Sequence, residues 1–126
     1  MAEIVVRLQP RFVEPEVTPK LVVVRLDVGP DFGLDMLPYP TALRSCLSRQ
    51  TAQLLLDSFG PTIRRGSRLR LTNLRIAGQP IPDLDVVPSR APDRLQVDGF
   101  LGLDFFELFD VVEWRPKARL MRLVSD

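Results

Sequence analysis

A chain of 126 residues, 45% of them hydrophobic, is long enough for one core and too apolar to stay disordered. A net charge of +1 offers no global field for nucleic acid, and the absence of histidine removes Ser-His and Cys-His catalysis together with a common zinc ligand. Cys46 is the single cysteine and has no internal disulfide partner, which fits a reducing, cytoplasmic setting. The opening MAEIVVRLQP is too short and too polar to read as a signal peptide, and no apolar run approaches the ~18 residues of a membrane span. Pro 12 and Gly 7 imply many short elements separated by turns, so a β-rich single domain over residues 1–126 is expected.

In chain order, Ile4, Val6 and Leu8 alternate as a strand that RFVEPEVTPK breaks. LVVVRLDV resumes the alternation, with Val22, Val24, Leu26 and Val28 on one face. GPDFG is a turn, and LDMLPYP a short extended piece. A short apolar strand then precedes a helix over about 48–59, with Ser48 as N-cap, Ala52, Leu55, Leu56 and Phe59 as its apolar stripe, and Gly60-Pro61 as its stop. RLRLTNLRIAG alternates at Leu69 and Leu71 and again, one residue out of phase, at Leu74 and Ile76, which suggests a bulge at Thr72-Asn73. IPDLDVV is a strand with Leu84 and Val86 on one face, and Pro82 marks it as an edge or a strand start. SRAPDRLQ reads as a polar loop. VDGFLGLDFFELF follows as a buried strand, a glycine and a short helix over about 104–109, with Asp104 as N-cap and Phe105, Leu108 and Phe109 buried. DVVEW and ARLMRLV close the chain as a hairpin around RPK.

The passage VDGFLGLDFFELFDVVEW resembles the C-terminal signature of the retropepsin-like aspartic peptidases. Phe100-Leu101-Gly102 takes the place of the apolar pair and glycine, Asp104-Phe105 starts the short helix, and Val111-Val112 fall in the following strand. The resemblance runs from about Leu21 to Leu123. In that family a strand leads into Asp-Thr-Gly-Ala, then Ser-x-Ser-x-Ile, then a helix. YPTALRSCLSRQTAQLL is similar in layout: Ala42 takes the Ala position, Ser45 the second Ser, Leu47 the Ile, and 48–59 the helix. The resemblance implies an all-β, retropepsin-like lobe with one main helix, and a homodimer whose site spans a two-fold axis.

In this register Tyr39, Pro40 and Thr41 stand where the family has Asp-Thr-Gly. The family's chemistry needs two carboxylates sharing one proton, one from each lobe. Tyr, with a reference pKa of about 10, is no base at ordinary pH. Pro40 lacks hydroxyl and N–H, and Thr41 puts a side chain where the family has a bare turn. The expectation is a degenerate, catalytically inactive member that binds a protein or peptide or dimerises, with Ala42, Leu101, Gly102 and Asp104 as its structural signature.

A rival register places the acid at Asp27 of Asp27-Val28-Gly29, giving an active homodimeric endopeptidase. Against it, Pro30 replaces the family's Ala, Val28 has no hydroxyl, and no helix follows at the right distance. The more ordinary reading of Asp27 and Gly29 is a strand ending in a turn. The roughly ten residues GPTIRRGSRL leave room only for a shortened flap, or none. Arg64, Arg65, Arg68, Arg70 and Arg75 make a basic stretch whose readings are a solvent-facing strand or an anion patch; the balanced charge and the lack of interleaved aromatics favour the first. Cys46 reads as an inert core thiol and Trp114 as half-buried packing. No cofactor, metal, nucleic acid or membrane partner is expected.

Overall fold

The computed structural model describes residues 2–11, 21–29, 32–58, 63–65 and 68–125. Apolar runs punctuated by Pro and Gly become strands: β1 (Ala2–Arg7), β2 (Gln9–Arg11), β3 (Leu21–Val28), β4 (Gly33–Pro38) and β5 (Cys46–Ser48). Helix α1 (Arg49–Ser58) leads to β6 (Ile63–Arg65), β7 (Arg68–Leu71), β8 (Leu74–Ile76), β9 (Gln79–Pro80) and β10 (Leu84–Ser89). One turn of helix, α2 (Ala91–Arg94), precedes β11 (Gly99–Leu101). A second, α3 (Leu103–Phe106), precedes the hairpin β12 (Val111–Arg115) and β13 (Leu120–Ser125).

Strands β1, β13 and β12 form a three-stranded antiparallel sheet that ties the two ends of the chain together, Ala2 facing Ser125. The others form a ten-stranded sheet in the order β6-β7-β10-β5-β11-β4-β3-β8-β9, with β2 added to β3. This order forces curvature. β7 pairs with β10 and β8 pairs with β3, near opposite ends of the order, yet only Thr72 and Asn73 separate β7 from β8. The sheet must fold over to bring both partners within reach. Asn73 makes the corner with a left-handed φ of 55°. The phase shift between Leu71 and Leu74 is therefore real, since Leu69, Leu71, Leu74 and Ile76 are all buried, but its cause is a strand changing partners and not the expected bulge.

The curled sheet closes on one main core. Phe105, Leu26, Leu34, Met36, Leu47, Leu55 and Leu101 are fully buried, and Met121 and Leu123 bring in the terminal sheet. Helix α1 begins as expected: the Thr51 N–H donates to Ser48 Oγ at 3.1 Å, and Ala52 and Leu55 face the core. The expected stop at Gly60-Pro61 and the stretch 12–20 lie outside the described residues. On β3, Val24, Leu26 and Val28 are buried as the alternation requires. Val22 is 37% exposed, and Val23 is buried instead, in a smaller cluster with Val97 and Phe100 on the other side of the sheet.

Local expectations are corrected at α3 and in the polar stretch 89–96. Asp104 is not an N-cap: Gly102 holds that position, Asp104 sits in the first turn of α3, and the helix ends at Phe106 instead of about 109. Phe105 and Phe106 carry its buried face, with Leu108 and Phe109 only partly covered. Of the two readings of Pro82 the strand start holds: β7 and β5 flank β10, and Pro82 precedes it. The polar stretch 89–96 contains α2, in whose first turn Pro92 fixes φ and is itself buried.

Phe105 has no exposure and stacks edge-on against Phe106 and Phe109, with ring centroids 5.1 and 5.4 Å away. Phe105→Ala is expected to cost about 3–5 kcal/mol, read as a lowered midpoint in urea unfolding. A loss under about 1 kcal/mol would mean that α3 does not plug the core.

Candidate functional site

Strands β4 and β11 run parallel, with Leu101 beside Pro38, so the chain leaves both strands at the same end. β5 lies antiparallel on the far side of β11, with Phe100 facing Cys46 and Gly99 facing Leu47. The loop 39–45 joins β4 to β5 across β11, and must cross the chain that follows Leu101.

A dense set of hydrogen bonds holds that crossing. The Tyr39 N–H donates to the Leu101 carbonyl at 2.8 Å, and the Leu103 N–H donates to the Ala42 carbonyl at 2.7 Å. Ser45, with no exposure, sits at the centre. Its Oγ accepts from the Gly102 N–H at 2.9 Å and donates to Asp104 Oδ1 at 2.7 Å, while its N–H reaches both carboxylate oxygens at 2.9 and 3.0 Å. The Phe105 N–H adds a further bond to Asp104 Oδ1 at 2.8 Å. Gly102 is required by contact alone: a Cβ there would lie 2.6 Å from the Arg44 carbonyl carbon and 2.9 Å from the Ala42 oxygen. The structure thus brings together Tyr39, Ala42, Leu101, Gly102 and Asp104, and adds Ser45 as the group that joins them.

A second brace lies at the other end of β11. Asp98 accepts from the Asp35 N–H at 2.8 Å and from Thr51 Oγ1 at 3.0 Å, and its carbonyl accepts from the Ser48 N–H. This fastens β11 to β4 and to the start of α1. Sequence reasoning did not single out Asp98 or Thr51. Their partners lie 63 and 47 residues apart in the chain, and no local pattern signals such a pair.

The turn itself is open. Tyr39 is 42% exposed, with its ring 5.4 Å from that of Phe100, and Leu43 is 76% exposed. Pro40 and Thr41 are exposed, and residues 39–43 contain no carboxylate. Asp104 is the acid of the crossing, and its oxygens are taken up by Ser45 and Phe105; Asp85, paired with Arg70, lies on the depression beside the loop. Hairpin β6–β7 pairs Ile63 with Arg70 and Arg65 with Arg68, so a short hairpin does follow α1. A depression of about 360 Å³, lined by Leu43, Arg44, Arg68, Leu84 and Leu108, lies beside the loop.

Asp27 lies elsewhere. It faces Gly33, the first residue of β4, whereas Leu101 faces Pro38, the last, about 17 Å further along the strand. Strand β4 separates β3 from β11, and the Asp27 carboxylate accepts from Arg25 Nε at 2.9 Å. In the basic stretch, Arg70 pairs with Asp85 at 3.0 Å and Arg75 donates to the Gly78 carbonyl. Cys46 is half-buried beside Phe100, and burial pushes its thiol pKa up. Among the described residues no group of His, Cys, Asp or Glu is arranged to hold a metal ion, and no helix is long and apolar enough to cross a membrane.

Two outcomes follow. Ser45→Ala leaves the Gly102 N–H without its acceptor and removes one of the three bonds to Asp104 Oδ1, and is expected to cost about 1–3 kcal/mol; a neutral result in urea unfolding would remove Ser45 from the centre of the crossing. Cys46, kept protonated by burial, is expected to react with iodoacetamide far more slowly in the native protein than in urea; equal rates would contradict its placement.

No protein-family model matches the sequence, and a search of curated proteins found no match. Solved structures are similar in three dimensions. A retropepsin-like aspartic protease from Rickettsia conorii superposes with a TM-score of 0.60 at 14% identity, covering 97% of this chain and 89% of that one. The retroviral protease-like domain of Ddi1 from Leishmania major superposes with a TM-score of 0.55 at 19% identity, covering 77% of this chain and 84% of that one. The chain therefore has a retropepsin-like, all-β fold.

Proposed function

We propose that this chain is a retropepsin-like domain without peptidase chemistry, working as a module that binds a protein or peptide and assembles as a homodimer. One observation carries the reading. The Tyr39 N–H bonds to the Leu101 carbonyl at the crossing, and the exposed turn there is Tyr39-Pro40-Thr41. Hydrolysis by this fold needs a carboxylate on that turn, paired with a second from another lobe and sharing its proton. Tyr39 supplies a phenol, Pro40 nothing that donates, and Thr41 a side chain in place of a bare turn. The remaining acid, Asp104, is engaged in holding the crossing.

What the turn offers instead is surface. Tyr39 and Leu43 are large apolar side chains exposed on a loop whose backbone is fastened from below. A rigid loop that presents apolar side chains loses little freedom on binding. The free Cys46 suits a reducing, cytoplasmic setting. The alternative acid, Asp27, has its carboxylate in an ion pair with Arg25 on a strand that is not paired with β11.

The folded wild-type protein is expected to leave an unbiased peptide library intact between about pH 3 and pH 7, by mass spectrometry. Cleavage that pepstatin blocks would overturn the reading. Loss of such cleavage in Asp27→Asn would assign it to the rival acid.

A further inference from the structure

We propose that a phosphate monoester binds in a notch between the junction of β1 with β2 and the hairpin turn at 116–119. The Leu8 N–H donates to the Arg119 carbonyl at 2.8 Å, so the turn is fastened to that junction. A depression of about 350 Å³ opens beside this bond, lined by Arg7, Gln9, Pro10, Ala118 and Arg119. Small-ligand sites span roughly 300–1,000 Å³, and this one suits a compact group. Arg7 and Arg119 come from opposite ends of the chain but lie close together, because Arg119 precedes Leu120, the Cα partner of Arg7.

The charges at the notch differ from those on the rest of the sheet. Arg115 is held by Glu113, and Arg122 by Glu113 and Glu3. Arg7, Lys117 and Arg119 are exposed, and among the described residues no carboxylate pairs with them and no acid lines the depression. Like charges gathered this closely repel, and an anion between them relieves the repulsion. Guanidiniums fork onto phosphate oxygens, and the Gln9 amide offers two further N–H donors. One guanidinium already satisfies a carboxylate. Two guanidiniums with an ammonium on the same turn suit the nearly two charges and three free oxygens of a phosphate monoester. A nucleic-acid backbone carries one charge per phosphate and calls for a track of free cations. The next cations along the sheet, Arg115 and Arg122, are already paired.

Arg119 is also held ready. Its backbone has a left-handed φ of 54°, its N–H donates to the Pro116 carbonyl at 3.1 Å, and its carbonyl accepts from Leu8. Glycine or asparagine takes up that conformation at lower cost, so the turn alone does not account for an arginine there. The notch shares no residue with the Tyr39 loop or the depression beside it, so the inference goes beyond the reading of that loop and stands without it.

The test is titration of the isotope-labelled full chain with inorganic phosphate, adenosine monophosphate and acetate, read by amide shifts in NMR. Saturable shifts are expected at residues 7–9 and 117–120 with the two phosphates and not with acetate. Arg119→Gly keeps the left-handed backbone, so its melting temperature is expected to hold or rise while affinity falls at least about tenfold. Arg7→Gln is expected to weaken binding by a similar factor, and it carries the test if Arg119→Gly does not fold. Arg94→Gln, on α2, is expected to leave affinity unchanged. Vesicles of phosphatidylcholine with and without phosphatidic acid separate the sources of the group. Saturable shifts from the free phosphates assign a soluble monoester. Sedimentation with phosphatidic acid vesicles alone, lost in the Arg7 and Arg119 variants, assigns a lipid headgroup. Binding to none of these, equal shifts from acetate, a folded Arg7 or Arg119 variant that binds as wild type does, or duplex DNA held at these residues more tightly than the monophosphate would each overturn the proposal.

Discussion

The fold turns on one buried hydroxyl. Ser45 Oγ accepts from the Gly102 backbone and donates to Asp104, while the Ser45 N–H engages the same carboxylate. These bonds join two chain passages 57 to 59 residues apart, just beyond the last paired residues of β5 and β11. The loop 39–45 has to pass over the chain leaving β11, and both carry backbone groups that burial would otherwise leave unpaired. Asp104 answers the same need: placed in the first turn of α3, it turns a helix start toward the loop instead of capping its own helix. Gly102 makes room, because a side chain would strike the Arg44 backbone.

This arrangement separates the residues that build the crossing from those that would do chemistry on it. Ser45, Gly102, Asp104 and the carbonyls of Ala42 and Leu101 fix the path of the backbone. The turn at Tyr39-Pro40-Thr41 contributes main-chain bonds through the Tyr39 N–H and carbonyl, and none that Pro40 would need an N–H to make. Pro40 and Thr41 are exposed and Tyr39 only leans on Phe100, so these side chains make none of the bonds that hold the frame. In the proposed reading, the chain keeps the layout of an acid-protease lobe without the acid, since stability and reactivity rest on different atoms. In the proposed reading the exposed loop then serves as a contact surface.

Much of the architecture was legible in the sequence because period and punctuation state it locally. The alternation in β1 and β3, the Ser48 cap of α1 and the closing hairpin all follow from residues within one turn or strand of each other. The run FLGLDFF announced a glycine at a close approach followed by a helix. What failed was non-local. The shift between Leu71 and Leu74 looked like a bulge, because a sequence cannot show a strand changing partners at a corner. Asp104 looked like an N-cap because its true partner, Ser45, lies on another loop. Asp98 and Thr51 gave no sign at all, since neither their spacing nor their neighbours mark them as a brace. Pro82 left two readings open, because prolines at strand starts and on edges read alike.

The account rests on Tyr39 being locked into the crossing as a member of it. Amide hydrogen exchange measures this directly. The Tyr39, Gly102 and Leu103 N–H groups are predicted to be protected together, and to lose protection together in Ser45→Ala. A Tyr39 amide that exchanges at the rate of an open loop, while Gly102 and Leu103 remain protected, would contradict it.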